Sequence, residues 1–343
     1  MSQAKLQMAL IGAGNIAQKY GQAVKNVETA ELVGVVSSTA SKAETFAEAQ
    51  GIPFASDVPG RLFEKTRVDA VIVATPSGLH AEGAITAAGH GKHVLCEKPL
   101  DITLEKIDAM TEACAKAGVK LGCTYQHRTA EHNRIACEAV QSGRLGKIHI
   151  ANAFLKNFRG QDYYDSAEWR GTQKLDGGGP FIQQAAHTID LMVWMMGSAK
   201  RVWAQCRPVA HDIEVEDMGH AIVQYQNGAQ GVLEASTIVQ PGYPNRIEIH
   251  GEKGSIILTE SEIVAWDVEG MDQPKMRQAA GSSGAKDPMA IGTEGHELII
   301  RDFVEAVRQD RDPMVSPASA RLSVELIQAI YESSETNQPV DLS

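Results

Sequence analysis

Three places in this 343-residue sequence combine residue type and spacing in ways that could do chemistry. The first is Gly12-Ala13-Gly14-Asn15-Ile16-Ala17, which follows an apolar run and opens a helix-like stretch. Gly12 permits a tight turn, Gly14 lets the backbone approach a pyrophosphate, and Ala17 keeps the helix close to its sheet. A helix N-terminus there stabilises phosphate charge, which makes Gly12, Gly14, Asn15 and Ile16 candidates for holding a dinucleotide. The second is His93-Val-Leu-Cys96-Glu97-Lys98-Pro99, an apolar strand ending in opposite charges. Ligands of open α/β sheets bind outside the carboxyl ends of strands, and a lysine there can donate to a substrate oxygen. An upstream strand ends similarly in Ala74-Thr75-Pro76-Ser77-Gly78-Leu79-His80. The third is Gln183, Gln184, His187 and Asp190, spaced i−4, i−3, i and i+3 on a predicted helix over 180–196. That spacing gives one polar face on an otherwise apolar helix, which needs partners or a ligand. His187 is the natural acid/base near neutral pH, or else a core histidine with its needs met locally.

Other groups are thinner. The second strand ends Val35-Val36-Ser37-Ser38-Thr39 with no acid to hold a ribose 2′-hydroxyl. Ser37, Ser38 and Lys42 suit a 2′-phosphate better, so NADP(H) is favoured, with NAD(H) as the alternative. Trp169 and Arg170 could stack on and charge-pair with a sugar or phosphate, or simply pack. His211, Asp212, Glu214, Glu216 and Asp217 show no metal-ligand spacing and read as a solvated loop, so no metal is expected.

The elements that must position these residues fall into two patterns. Strand–helix alternation runs from Leu6–Ile11 through Leu32–Val36, Val68–Ala74, His93–Cys96 and Val119–Thr124, which predicts parallel strands with helical crossovers. After about Leu145 the strand-like segments crowd together: Ile148–Leu155, Arg201–Arg207, Met218–Tyr225, Gly231–Ile238, Arg246–His250 and Ser255–Thr259. Turn signals such as Gln226-Asn227-Gly228 separate several of them. The expectation is an α/β Rossmann domain over 1–125, then an α+β domain over 126–343 with a large, mostly antiparallel open sheet. Two late helices, about Gly295–Gln309 and Pro317–Thr336, join the second half or pack back across it. Gly270–Gly292 is polar and reads as a long mobile loop.

Composition narrows the class. Apolar residues make up 43% and charged residues 22%, an ordinary globular balance. A net charge of −11, from 32 Lys+Arg against 43 Asp+Glu, disfavours a nucleic-acid grip. No apolar run approaches the ~18 residues of a transmembrane helix, and no secretory signal is evident. Five cysteines without a CxxC pair fit a reducing compartment, so the expected location is cytoplasmic.

With these motifs in place, the sequence resembles the glucose–fructose oxidoreductase / inositol dehydrogenase / rhizopine-catabolism (Gfo/Idh/MocA) family. The marks are Gly12-x-Gly14-x-x-Ala17, Thr75-Pro76-Ser77-x-x-His80 and Cys96-Glu97-Lys98-Pro99-Leu100, and the likeness runs the whole length. The resemblance implies a role for Lys98 at the reacting carbon and a contact of Glu97 with the nicotinamide ribose. It adds Thr75, Pro76, Ser77, His80 and Gln126 to the cofactor set. Gln183, Gln184, Tyr125, Arg128, Trp169, Arg170 and Asp190 join the substrate set. The family usually carries an acid four residues before the histidine, where this sequence has Gln183; an amide takes no proton, so His187 alone is the base candidate. The helix motif, with Trp169-Arg170-Gly171-Thr172, is similar to the branch acting on nucleotide-sugar uronates, and related sugar 3-dehydrogenases share much of it. The implied function is hydride transfer between NAD(P)H and a secondary alcohol or ketone of a sugar, cyclitol or nucleotide sugar. Alternatives on the same fold are a redox-neutral, NAD-dependent glycoside hydrolase and a non-catalytic dinucleotide-binding sensor. A homo-oligomer, dimer or tetramer, built across the open face of the second sheet is also implied, with a small sugar-like molecule as the other partner.

Overall fold

Apolar runs with no polar alternation become parallel strands because helices cover both faces of their sheet. The computed structural model describes residues 4–274 and 292–342. In it β1 (Leu6–Ile11), β2 (Ala30–Val36), β3 (Ala55–Ser56), β4 (Ala70–Val73), β5 (His93–Cys96) and β6 (Leu121–Cys123) pair in parallel. Their order, β3-β2-β1-β4-β5-β6, is that of a Rossmann sheet, with the switch point between β1 and β4. The crossovers are α1 (Asn15–Lys25), α2 (Ala40–Gln50), α3 (Pro59–Lys65), α4 (His80–Gly89) and α5 (Leu104–Ala117). Met8, Leu10, Val71 and Ile72 are wholly buried in the sheet. Thr39 and Thr103 cap α2 and α5 by accepting from the Lys42 and Lys106 N–H groups. The sequence reading did not include α3, whose seven residues are too few to show a periodic stripe.

The described residues divide into two compact units. Residues 4–126 and 293–321 form the first; 127–274 and 322–342 form the second. The stretch 293–321 therefore departs from the sequence division, which put 126–343 together. Its helix α9 (Glu294–Gln309) lies against the Rossmann unit: Phe303 packs beside Gly122, and Arg308 donates to the Ala4 carbonyl at 2.7 Å. The next helix, α10 (Pro317–Thr336), crosses the division and carries residues of both units.

The second unit holds α6 (Glu131–Gln141), β7 (Ile148–Phe158), α7 (Gln161–Asp165), α8 (Ala186–Met196), β8 (Ala199–Arg207) and β9 (Met218–Tyr225). It continues with β10 (Gln230–Ser236), β11 (Ile238–Gly251), β12 (Gly254–Thr259), β13 (Ile263–Val268) and β14 (Val340–Asp341). These strands make one eight-stranded sheet, β13-β12-β11-β7-β10-β9-β8-β14, antiparallel except at the β7–β10 pair. The mostly antiparallel sheet agrees with the sequence expectation. Two details do not. The predicted helix over 180–196 begins only at Ala186: Ala185 N bonds Pro180 O, five residues back, which loosens the turn before it. Of the expected loop Gly270–Gly292, residues 275–291 lie outside the described residues.

Candidate active site

In the first unit the candidate residues line up at the carboxyl ends of the parallel strands. Gly12 follows β1 with φ +113°, and a Cβ there would collide with the Ala74 carbonyl, so only glycine fits. Gly14 is the N-cap of α1, and nothing stands within 4 Å of where its Cβ would be. Asn15 and Ile16 open the helix; its first turn has no acid and its cap uses no side chain. Its leading N–H groups therefore keep no side-chain acceptor, the condition for receiving a phosphate. After β4, Thr75 Oγ1 is buried with no hydrogen-bond partner among the described residues. An open glycine approach, an uncapped helix start and an orphaned hydroxyl fit a dinucleotide. Ser37 is half-buried at the end of β2, and Ser38 and Lys42 are exposed beyond it. Pro76 leads into a short turn, Ser77–Leu79, whose Ser77 is buried.

Two residues of the expected cofactor set are held by protein partners. His80 is buried, with Nδ1 2.7 Å from the Pro99 carbonyl and Nε2 2.9 Å from the Thr75 carbonyl. It ties two strand-end turns together and offers neither ring nitrogen outward. Glu97 is also buried: Oε2 accepts from the Lys98 N–H at 2.8 Å, and Oε1 lies 2.8 Å from Tyr20 Oη. Both oxygens thus have protein donors, and the carboxylate holds the backbone at Lys98. His296 of α9 sits 3.6 Å from Oε1, with its ring edge-on to Tyr20. Burial alone would raise the Glu97 carboxyl, but His296, Lys98 and Tyr20 together hold it below its ordinary value. Lys98, half-buried after β5, is thereby fixed at the base of its side chain. Tyr125 is wholly buried, and Gln126, which opens a short turn after β6, packs beside Gly295.

In the second unit His187 is the second residue of α8 and half-buried; its ring stacks on His127 with centroids 4.3 Å apart. Gln183 and Gln184 lie in the turn before the helix, so the polar face is built by that turn and α8 together. Gln183 donates to the Asp176 carbonyl at 2.5 Å, and Gln184 reaches the Tyr163 hydroxyl at 3.4 Å. Arg170 is stacked between Tyr163 (4.2 Å) and Trp169 (4.7 Å). Gln184, Tyr163, Arg170 and Trp169 thus form a continuous polar and aromatic surface beginning three residues from His187.

Arg128 and Asp190, both expected to meet substrate, bond each other instead of standing apart. Arg128 grips Asp190 through two hydrogen bonds of 2.7 and 2.6 Å, and Ser323 adds a third at 3.0 Å. Both side chains are buried. Burial pushes the Asp190 carboxyl up, against the pull of Arg128 and Ser323. A buried pair of this kind is structural, and truncating one partner costs about 3–5 kcal/mol. The acidic cluster, expected to be solvated, is so only at Asp212 and Glu214. Glu216 and Asp217 are buried, and Asp217 accepts from the Val209, Ala210 and His211 N–H groups. Among the described residues no group of His, Cys, Asp or Glu could hold a metal ion. The contacts of His127, His296 and Glu216 were not legible in the sequence because their partners lie far along the chain.

A Rossmann sheet with a glycine-framed, uncapped helix start defines a dinucleotide-binding protein. Comparison with known proteins makes the class specific. Residues 6–125 match the profile of the oxidoreductase family with an NAD-binding Rossmann fold, and 134–257 match the GFO/IDH/MocA C-terminal domain. The chain belongs to the GFO/IDH/MocA family, and it is an NAD(H)-binding oxidoreductase. It is 27% identical to a myo-inositol 2-dehydrogenase from Thermotoga maritima, over 98% of each chain. Among solved structures it is similar to the WlbA dehydrogenase from Bordetella pertussis in complex with NADH and UDP-GlcNAcA. That likeness has a TM-score of 0.89 and 29% identity, over 100% of this chain and 99% of that one. The WlbA dehydrogenase from Chromobacterium violaceum, in the same kind of complex, gives 0.88 and 30%, over 100% and 97%.

Proposed function

We propose that the chain oxidises a secondary alcohol of a sugar, or reduces the matching ketone, with Lys98 and His187 as its catalytic residues. The observation that carries this is the fate of Asp190: Arg128 consumes it, and Gln183 is an amide bonded to a carbonyl. His187 is then the titratable side chain of its segment suited to acid/base work. In the oxidising direction His187 takes the hydroxyl proton, and the Lys98 ammonium donates to the oxygen as negative charge develops there. Gly12, Gly14, Asn15, Ile16, Thr75 and Ser77 would hold a nicotinamide dinucleotide, which supplies the hydride exchange when bound. Substitution tests the assignment: Lys98→Ala and His187→Asn should each lower kcat about 10²–10⁴-fold while still binding NADH. A variant that turns over at the wild-type rate removes its residue from the mechanism.

The finer readings follow from particular residues. Arg170, stacked but with no carboxylate partner among the described residues, suits a substrate bearing a carboxylate or pyrophosphate. That favours nucleotide-sugar uronates, the kind of molecule bound in the two WlbA complexes. Turnover of neutral sugars as fast as uronates would count against it. Ser37, Ser38 and Lys42 favour NADP(H) over NAD(H), and about tenfold tighter NADH binding, ~1.4 kcal/mol, would reverse that preference. A homo-oligomer is supported by exposed Trp203, Ile222 and Val232, which oppose one another across β8, β9 and β10 on one face of the sheet. Sedimentation of the wild type as a monomer would remove this reading. No helix among the described residues is long and apolar enough to cross a membrane, and a cytoplasmic location fits the cysteine usage.

A further inference from the structure

Glu216 lies in the buried stretch before β9, outside every residue assigned so far to the reaction. Its carboxylate faces three donors. Oε2 accepts from the Gly179 N–H at 2.8 Å, and Oε1 accepts from the Phe181 N–H at 3.2 Å and the Tyr331 hydroxyl at 3.0 Å. The fit around it leaves no slack. A Cβ on Gly178 would run into the Tyr331 hydroxyl, and one on Gly179 into the Glu216 carbonyl. The gripped segment is the one that carries the candidate substrate residues. Gly179 O accepts from Gln183 N at 3.0 Å, and Pro180 O accepts from Gln184 N at 3.2 Å and Ala185 N at 2.7 Å. Ala185 O then accepts from Ile189 N at 2.8 Å, inside α8. A chain of hydrogen bonds therefore runs from Glu216 through the glycine segment to Gln183, Gln184 and the turn of helix that holds His187.

We propose that Glu216 is a positioning residue for the reaction, setting the place of Gln183, Gln184 and His187 through the Gly177–Phe181 segment. The proposal rests on the reading of His187 as the acid/base. The chemistry calls for a carboxylate, because only an ionised acid is an acceptor at every lone pair. An amide would turn its NH2 toward one of three donors. The titratable groups facing Glu216 are Tyr331 on α10 and Cys206 on β8. The segment 177–181 carries none, the Asp176 carboxylate is engaged by the Gly171 N–H, and neighbouring Asp217 by residues 209–211. Burial with no cation among the groups acting on it pushes the Glu216 carboxyl up to about 7. The accepting form is then lost just below neutral pH.

Glu216→Gln is the test, read by steady-state kinetics and by NADH fluorescence titration. We expect kcat to fall about tenfold, the effect of a small displacement of reacting groups, with NADH affinity unchanged. The acid limb of kcat should report two protons in the wild type, from His187 and Glu216, and one in the variant. Tyr331→Phe, which removes one donor of three, should lose less kcat in the same direction. Wild-type kcat in Glu216→Gln, or an equal loss of NADH binding, overturns the proposal. Should that variant fail to fold, Tyr331→Phe carries the same readouts, and wild-type kcat there overturns it. His187→Asn measured in parallel separates the two ideas. If that variant stays active, the assignment of His187 fails; if it dies while Glu216→Gln keeps its rate, the positioning role alone fails.

Discussion

Two buried glutamates, one in each unit, are built almost alike and behave oppositely. Glu97 and Glu216 are 5% and 6% exposed, and each has a tyrosine hydroxyl and backbone N–H donation on its carboxylate. Yet the Glu97 carboxyl is held below its ordinary value while that of Glu216 is pushed up to about 7. The difference lies in neighbouring charge. Glu97 has Lys98 and His296 beside it; Glu216 has Tyr331 and Cys206. Burial penalises both charges, and only the first site has groups that offset the penalty. Each carboxylate nevertheless grips backbone N–H groups, Glu97 at Lys98 itself and Glu216 at Gly179 and Phe181.

The largest separation should come from turning each acid into its amide. Glu97→Gln removes the negative neighbour of Lys98, and should destabilise the protein by about 3–5 kcal/mol in urea unfolding at pH 8. Glu216→Gln at the same pH should be close to neutral, because it also relieves a disfavoured charge. Equal losses would mean that hydrogen bonding, not charge, governs both sites. The next effect is one of pH. The folded pKa of Glu216 lies above its unfolded value of ~4.3. Between the two values the folded state holds a proton that the unfolded state has released, so stability falls as pH rises through that window and then levels off above about 7. The fall should amount to roughly 4 kcal/mol and be absent from Glu216→Gln. Glu97 has the opposite sign: its contribution is present above its unfolded value and is lost as pH drops through its lower folded value. A stability curve that is flat between pH ~5 and ~7 in the wild type would remove the distinction.

How much of this was legible in the sequence follows the same division. In the Rossmann unit the functional signals are local. The glycine hexapeptide, Thr75-Pro76-Ser77 and Glu97-Lys98-Pro99 each follow a short apolar run within a few residues, and such runs are found by pattern. Fold class and the mostly antiparallel second sheet were readable for that reason. What was not readable depends on partners distant in the chain. Arg128 and Asp190 look like two separate polar candidates until 62 residues of chain fold back and join them. Glu216 looks solvated because its donors lie 35 and 37 residues upstream and 115 downstream. His80 looked like a ligand contact, yet its two carbonyl partners can be matched only when adjacent strand ends are side by side. The start of α8 differs for another reason: helix spacing of apolar and polar residues continues back through Phe181, but the glycines before it and the Pro180–Ala185 bond set a looser turn.

The smallest expected effect probes what keeps Glu97 low. His296 is 3.6 Å from Oε1, beyond the length of a good hydrogen bond, so its influence is mainly through space. It also packs edge-on against Tyr20 and is almost wholly buried, so a replacement must keep some of its volume. His296→Gln does so while removing the ring. Lys98 and the Tyr20 hydroxyl stay in place, which limits the loss to about 1 kcal/mol, well short of that for Glu97→Gln. The sign on the pH axis is more telling than the size. With one of its lowering influences gone, Glu97 should protonate at a higher pH, so the acid loss of stability should begin earlier in the variant than in the wild type. An acid limb that does not move would show that Lys98 and the hydrogen bonds alone set the charge of Glu97, and that the two glutamates differ by one neighbour, not two.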